Sequence, residues 1–347
     1  MVPSRPRLRG REAPEERQMR RRKLITFAGS AIVLWPLAAR EIRRAQAQSP
    51  KRPVIGVLSP FVDADSTFLV DVRHSLTDLG LREGREIGFE YRSAEGRIDR
   101  LSPLADELLH LKVDIIVTAS APAIRFLQRA TDTVPIVMAQ VGDAVDQGFV
   151  ANLAHPGRNI TGTSWLEPEL SAKRLELLKG ALPETALVAV LREASAGAAS
   201  VTAVQAAAHR LGIVASIFEV RDPDEFPTAL SAMAAAKVQG VEILGGLMIS
   251  NNVHSLVALA GGHRLATIFP DTSFVAAGGL MSYGPDLREI YRRTAEIVDK
   301  ILKGARPGDI PVEQPTKFAF AINLGAAKAL GLTIPLAAVQ RADLVIE

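Results

Sequence analysis

Cysteine is absent from the 347 residues, which excludes a disulfide framework, a thiolate metal site and a cysteine nucleophile. The six histidines, at 74, 110, 155, 209, 254 and 263, never fall three to five residues apart, so no helical zinc pair exists. Phosphate-binding turns are missing too. No Gly-x-Gly-x-x-Gly follows an apolar strand, and no Gly-x-x-x-x-Gly-Lys-[Ser/Thr] is present. A Gly-x-Ser-x-Gly nucleophile elbow is likewise lacking. Acidic residues are scattered, with no pair that the sequence alone places on one site. Nucleotide chemistry, serine hydrolysis and metal catalysis all lose their local signatures. The balance tilts toward a protein that binds a small molecule, with no cofactor and no catalytic residue expected.

A strong basic surplus on the folded part is also missing, although the formal charge is +3. Residues 1–47 hold 12 Lys/Arg and 4 Asp/Glu, leaving 29 basic and 34 acidic groups for the remainder. The remainder is therefore net acidic, which argues against a nucleic-acid partner, because binding needs a basic face. The basic surplus sits in a leader. Arg20-Arg21-Arg22-Lys23 precedes an apolar run from Leu24 to Ala39 that contains Gly29 and Pro36. That run is short for a membrane span and fits the apolar core of a signal peptide. Arg21-Arg22-Lys23-Leu24-Ile25 has the form of a twin-arginine export signal, and Ala45-Gln46-Ala47 offers a cut after Ala47. The expectation is a periplasmic protein, with the leader cleaved or, alternatively, retained as an anchor. Met19, directly before the arginines, competes with Met1 as the start.

After the leader, short apolar runs alternate with helical periodicities. Val54–Leu58, Ile115–Val117, Ile136–Met138, Val188–Leu191 and Ile243–Leu244 read as strands buried on both faces, the mark of parallel sheets. Leu69, Val72, Leu76 and Leu79 repeat at three and four before Gly80, as do Val201, Val204, Ala208 and Leu211 before Gly212. Asp222-Pro223-Asp224-Glu225 has the order of a helix start, and Leu287, Ile290, Thr294, Ile297 and Ile301 mark a late helix ending at Gly304. The class is α/β, with a seam in the turn-rich stretch 151–167. Two doubly wound parallel-sheet lobes are expected: 51–165 plus about 277–312, and 166–276 plus about 313–347. The strand around Gly278–Gly284 is thereby assigned to the first lobe.

In open α/β sheets ligands bind at the carboxyl ends of strands. That rule selects Ser59 and the run Thr118-Ala119-Ser120, where Pro122 suits a first helical turn and an anion could rest. Ser120 serves equally as an N-cap. Asp143 either accepts a bond from a solute amine or caps its own turn. Ser164 and Trp165 fall where the chain crosses between lobes, so the indole either stacks on a planar solute or packs in the core. Tyr283 ends the glycine-rich late strand near the hinge, and Phe269 and Phe274 read as core.

The chain resembles the bacterial ABC-transporter substrate-binding proteins of the tryptophan- and tyrosine-binding type. The matching stretches include Pro53–Ser59, Ile87–Arg92, Gly142-Asp143-Ala144-Val145, His155–Gly162, Ala172–Leu178, Gly278–Gly284 and Ile322-Asn323-Leu324. The resemblance implies the type I periplasmic-binding fold, a two-lobed clamp with a ligand cleft. It also implies delivery of a captured solute to a membrane permease and its ATPase. A clamp presenting solute to a membrane receptor is the alternative. Two departures bear on the solute. Where the family carries an Asp-Pro-x-Phe-like stretch, this chain has Gly246-Leu247-Met248-Ile249, which removes an acid suited to an α-ammonium and makes Leu247 an apolar wall residue. Where an asparagine-rich turn is usual, it has Arg192-Glu193-Ala194-Ser195, and Arg192 beside the cleft suits an acidic solute unless Glu193 pairs with it.

Overall fold

The structure, a computed structural model, describes residues 52–61 and 66–347. The leader, its export signal and the cut near Ala47 lie outside the described residues. Residues 52–347 form one compact unit. It is built on two sheets.

The first sheet draws on β1 (Val54–Ser59), β2 (Gly88–Ser93), β3 (Ile115–Thr118), β4 (Ile136–Val141) and β5 (Ile160–Ser164), all parallel, in the order β2-β1-β3-β4-β5. Between them run α1 (Thr67–Asp78), α2 (Leu101–His110) and α3 (Ala121–Ala130). Apolar side chains leave both faces of β1, β3 and β4, so the sheet needs helices on both sides. Ile55, Val57, Ile115 and Val137 meet Phe68, Leu69 and Val72 of α1, while Ile116, Ile136 and Met138 meet Leu104, Leu108, Ile124 and Leu127 of α2 and α3.

The second half supplies α4 (Glu167–Ala181), β6 (Leu187–Glu193), α5 (Ala199–Leu211), β7 (Val214–Val220), α6 (Phe226–Ala235), β8 (Gly240–Ile243), α7 (Leu247–Ser250), α8 (Val253–Gly262), β9 (Thr267–Phe269) and α9 (Thr272–Ala276). Then come β10 (Met281–Pro285), α10 (Leu287–Leu302), β11 (Phe318–Asn323), α11 (Leu324–Leu330), α12 (Leu336–Val339) and β12 (Leu344–Ile346). The second sheet has the order β12-β11-β10-β9-β8-β6-β7. It is parallel except where β10 and β11 run antiparallel. It too is covered on both faces, by α4, α5 and α11 on one and by α6, α8 and α9 on the other. Phe269 and Phe274, read as core from the sequence, stack at 4.7 Å between ring centroids within the second of these cores.

One boundary differs from the sequence reading. The strand at Gly278–Gly284 does not return to the first sheet. Met281 and Ser282 pair with Ile268 and Phe269 on one side, and residues 281–285 pair with 318–322 on the other. The return begins with the helix that follows: Ile290, Tyr291, Ala295, Ile297 and Val298 of α10 pack in the first-lobe core beside α1, and residues 310–313 then bond along β5. The first lobe is thus completed from Asp286 onward, not from residue 277. The chain passes between lobes after β5, after β10 and before β11. Among the described residues no helix is long and apolar enough to cross a membrane.

Candidate functional site

An open cleft lies between the lobes, with about 690 Å³ of empty space that runs into solvent. Its first-lobe wall comes from the segments after β1, β3 and β4: Pro60 and Phe61, Ala119 to Pro122, and Gln140 to Asp143 with Gln147. The second-lobe wall comes from Trp165 and Glu167, from Glu193 to Ser200 after β6, and from Gly245, Gly246 and Leu247 after β8. Carboxyl ends of strands from both sheets therefore converge on one space, as the topology of such sheets requires.

The lobes touch across it. Leu247 packs into the first-lobe cluster that contains Phe68 and Tyr291, and Phe61 packs on the second-lobe cluster. Gln140 Nε2 donates to Ser250 Oγ at 3.1 Å, and the Tyr291 hydroxyl donates to Gln140 Oε1 at 2.5 Å. Gln140 has φ of 52°, a left-handed conformation that a non-glycine residue holds only where its surroundings impose it. Here the register shift in β4 between Met138 and Val141, and the bond from Gln140 N to Thr163 Oγ1 at 3.2 Å, impose it. The twist turns this side chain toward the other lobe.

Of the residues singled out from the sequence, Ala119, Ser120, Asp143, Trp165 and Leu247 line the cavity. Ser120 caps α3 by accepting from Ala123 N at 3.3 Å. Pro122 has no N–H, so Ala121 retains the remaining donor of that first turn. Asp143 accepts from Val145 N and Asp146 N, each at 3.0 Å, and is a cap facing the cavity. Trp165 is 2% exposed and belongs to the core cluster, yet its Nε1 finds no acceptor among the described residues.

Five others do not line the cavity, and for each the local bonding gives the reason. Ser59 is buried at the end of β1, where its carbonyl accepts from Ala94 N at 2.9 Å; the cavity begins one residue later. Thr118 turns its hydroxyl to Ser120 N at 3.2 Å and fixes the turn rather than the ligand. Ser164 donates to the Gly142 carbonyl at 2.8 Å. Tyr283 lays its ring 6.1 Å from that of Phe318, on the sheet. Arg192 spends its guanidinium on the carbonyls of Glu193 and Ala196, with Glu219 at 3.8 Å, so it does not place a positive charge in the cleft.

The second-lobe wall carries carboxyl groups instead. Glu193 and Glu167 both line it, and both are buried. Glu193 accepts from Ile249 N at 2.9 Å, from Met248 N, and from Ser195 Oγ at 3.3 Å, so it caps the start of α7. Burial raises its carboxyl above the usual range, and these donors restrain the shift. Glu167 Oε1 accepts from Gly245 N at 2.9 Å and from Arg174, while Oε2 has no partner among the described residues. Fully buried Arg174 also reaches Glu242 Oε1 at 3.3 Å and the Tyr283 carbonyl at 3.3 Å. Burial raises Glu167, against the pull of Arg174, and pushes Glu242 up to about 8. Glycines give this cluster its room. A Cβ on Gly246 would come within 2.3 Å of Glu193 Oε1, and one on Gly245 within 3.1 Å of Glu167 Oε2. The apolar second-lobe wall expected from Gly246–Ile249 is corrected by these two carboxylates, which arrive from β6 and from the start of α4.

The model for the ABC transporter substrate binding protein family matches residues 55–346. The chain belongs to that family. This substrate-binding protein is 25% identical over 261 residues to the tyrosine-binding protein of Clostridioides difficile strain R20291, covering 74% of each chain. A conserved domain protein from Vibrio cholerae O1 biovar eltor has the same fold at a TM-score of 0.76 and 27% identity, over 85% of this chain and 100% of that one. So does an ABC domain from Streptococcus pneumonia in complex with L-Trp, with a TM-score of 0.76, 24% identity and the same coverage. The substrate-binding protein thus has the type I periplasmic-binding architecture of its relatives, and its family is one of solute binders rather than enzymes.

Proposed function

We propose that this protein is the exported solute-binding component of an ABC import system. It closes on a small solute, amino-acid-like, aromatic or carboxylate, and hands it to a membrane permease and its ATPase from the periplasm. The observation that carries this reading is the cavity built from strand ends of both lobes and spanned by the Gln140–Ser250 bond. A ligand touching both walls favours the closed form by its differential affinity. Moving such an equilibrium from 1:99 to 99:1 needs about 5.5 kcal/mol of preference. Burying an apolar face at about 25 cal/mol per Å², with a few charge-assisted hydrogen bonds, reaches that. Within the cavity we assign contacts to Ala119, Ser120, Asp143, Trp165 and Leu247. The relatives named for tyrosine and solved with L-Trp support an aromatic amino acid as the first solute to try.

A thermal-shift screen of the purified protein against amino acids, aromatic acids, carboxylates and nucleosides tests the reading, followed by small-angle scattering with each hit. A raised midpoint with a smaller radius of gyration is expected. A hit that is chemically altered, or the absence of compaction with every hit, overturns it.

A further inference from the structure

Each sheet ends in two outer strands, and an outer strand offers unpaired N–H and C=O groups to any strand that reaches it. Three of the four outer strands are guarded. β2 carries Glu90 and Arg92, which pair at 3.4 Å, and Arg92 also reaches Glu107 at 2.9 Å. β7 carries Glu219, with Arg221 at 2.8 Å and Arg192 at 3.8 Å. β5 is covered by residues 310–313: Ser164 N donates to the Glu313 carbonyl and Glu313 N to the Gly162 carbonyl, each at 2.9 Å. β12 has none of these devices. It is the last strand of the second sheet and pairs with β11 on one side only. Its residues Leu344, Val345 and Ile346 carry no charge, and Leu344 and Val345 are 43% and 37% exposed. The uncovered apolar surface extends to α12, where Leu336 is 70% exposed, near a hollow lined by Leu177, Gly180, Phe320 and Ala337. Apolar surface gathered in one place marks an interaction site more often than scattered residues do.

The charges flanking the strand say what fits it. Arg341 stands before β12 and Glu347 after it, both exposed, and neither has an ion-pair partner among the described residues. A parallel copy of the strand would set arginine beside arginine. An antiparallel copy brings the start of one strand against the end of the other, so Arg341 meets the partner's Glu347. The two-fold axis that makes this pair is perpendicular to the sheet and keeps both α12 helices, with their exposed leucines, on one face of the joined sheet.

We propose that β12 is a docking edge for a second copy of this chain, paired antiparallel about a two-fold axis so that the second sheets of two molecules become one. The solute site stays clear of it. None of residues 336–347 lines the cleft, and β12 runs opposite to β6 and β8, whose carboxyl ends form the cleft wall. Each clamp in the dimer remains free to close.

Sedimentation velocity of the purified protein over a dilution series tests this, and a reversible monomer–dimer equilibrium is expected. Leu344→Lys gives the edge a charge, as the guarded strands already have, and is expected to weaken dimerisation by about tenfold or more. Its melting midpoint and solute affinity should match the unmodified protein. Arg341→Glu alone and Glu347→Arg alone set like charges opposite each other and are expected to weaken the dimer by about two- to tenfold, and the double exchange to restore it. A monomer at every concentration overturns the proposal, whether or not the edge takes a strand from another protein. So does a dimer that Leu344→Lys leaves intact, since it would use another face. Loss in both single exchanges without recovery in the double one overturns the antiparallel pairing.

Discussion

Arg174 sits at the centre of the second lobe's buried charges, 0% exposed, with Glu167 and Glu242 on either side. Removing it leaves Glu167 without a counter-ion and takes a hydrogen-bond donor from Glu242. Arg174→Met is therefore expected to cost about 3–5 kcal/mol in urea unfolding, far more than loss of an exposed pair such as Arg97–Asp99. Glu242 makes stability pH-dependent in a direction opposite to most carboxylates. Its folded value of about 8 lies above the unfolded 4.5, so the folded state holds the extra proton between those values. Stability then falls as pH rises, with a slope approaching roughly 1.4 kcal/mol per pH unit. Thermal melts from pH 6 to 8 should show this decline, and Glu242→Gln should make it shallower, with the other carboxyls raised by burial keeping part of it. A melt that is level with pH in the unmodified protein would contradict the burial argument. At this scale the sequence was half legible. Strand-end logic found Ser120 and Asp143, and the same logic applied to β6 reaches Glu193, which was seen only as a partner for Arg192. Glu242, alone between Val241 and Ile243, was a visible flag of a buried charge. Glu167 was not legible, because nothing local shows that the first residue of α4 turns back to Gly245.

The four-residue helix α7 owes its direction to Glu193, whose carboxylate holds the N–H groups of Met248 and Ile249. Gly246 lets that carboxylate close in. Gly246→Ala would put a methyl group 2.3 Å from Glu193 Oε1, and the flexible side chain must yield. The variant is expected to fold but to lose about tenfold in solute affinity as α7 and Leu247 shift. Titration of the screened solute beside a thermal melt separates the two effects. Elements buried on both faces, such as β1, β3, β4 and β6, were legible because continuous apolar runs have no other reading. The edge strands β2 and β7, only partly buried, were not picked out by the same pattern. The mistaken placement of β10 has a different origin. Its own residues suit either sheet, and only pairing with Ile268 and with residues 318–322 decides between them.

Across the whole molecule, closure depends on few direct links between lobes. The Gln140–Ser250 bond at 3.1 Å is one, and its geometry rests on the Tyr291 hydroxyl behind it. Ser250→Ala lies away from the cavity lining yet is expected to weaken solute affinity by about two- to tenfold, by favouring the open form. Scattering of the ligand-free variant should show a larger radius of gyration than the unmodified protein, and an unchanged radius would count against it. The return of α10 to the first lobe matters before any ligand is met. Tyr291 meets Phe68 edge-on at 5.5 Å, and Ile290, Ile297 and Val298 complete the layer over β1, β3 and β4. A nascent polypeptide finished only through residue 285 owns every strand of its first sheet, with one face covered by α1 alone. Early and late portions must therefore mature together, and a truncation product ending before α10 would be born sticky rather than half-working.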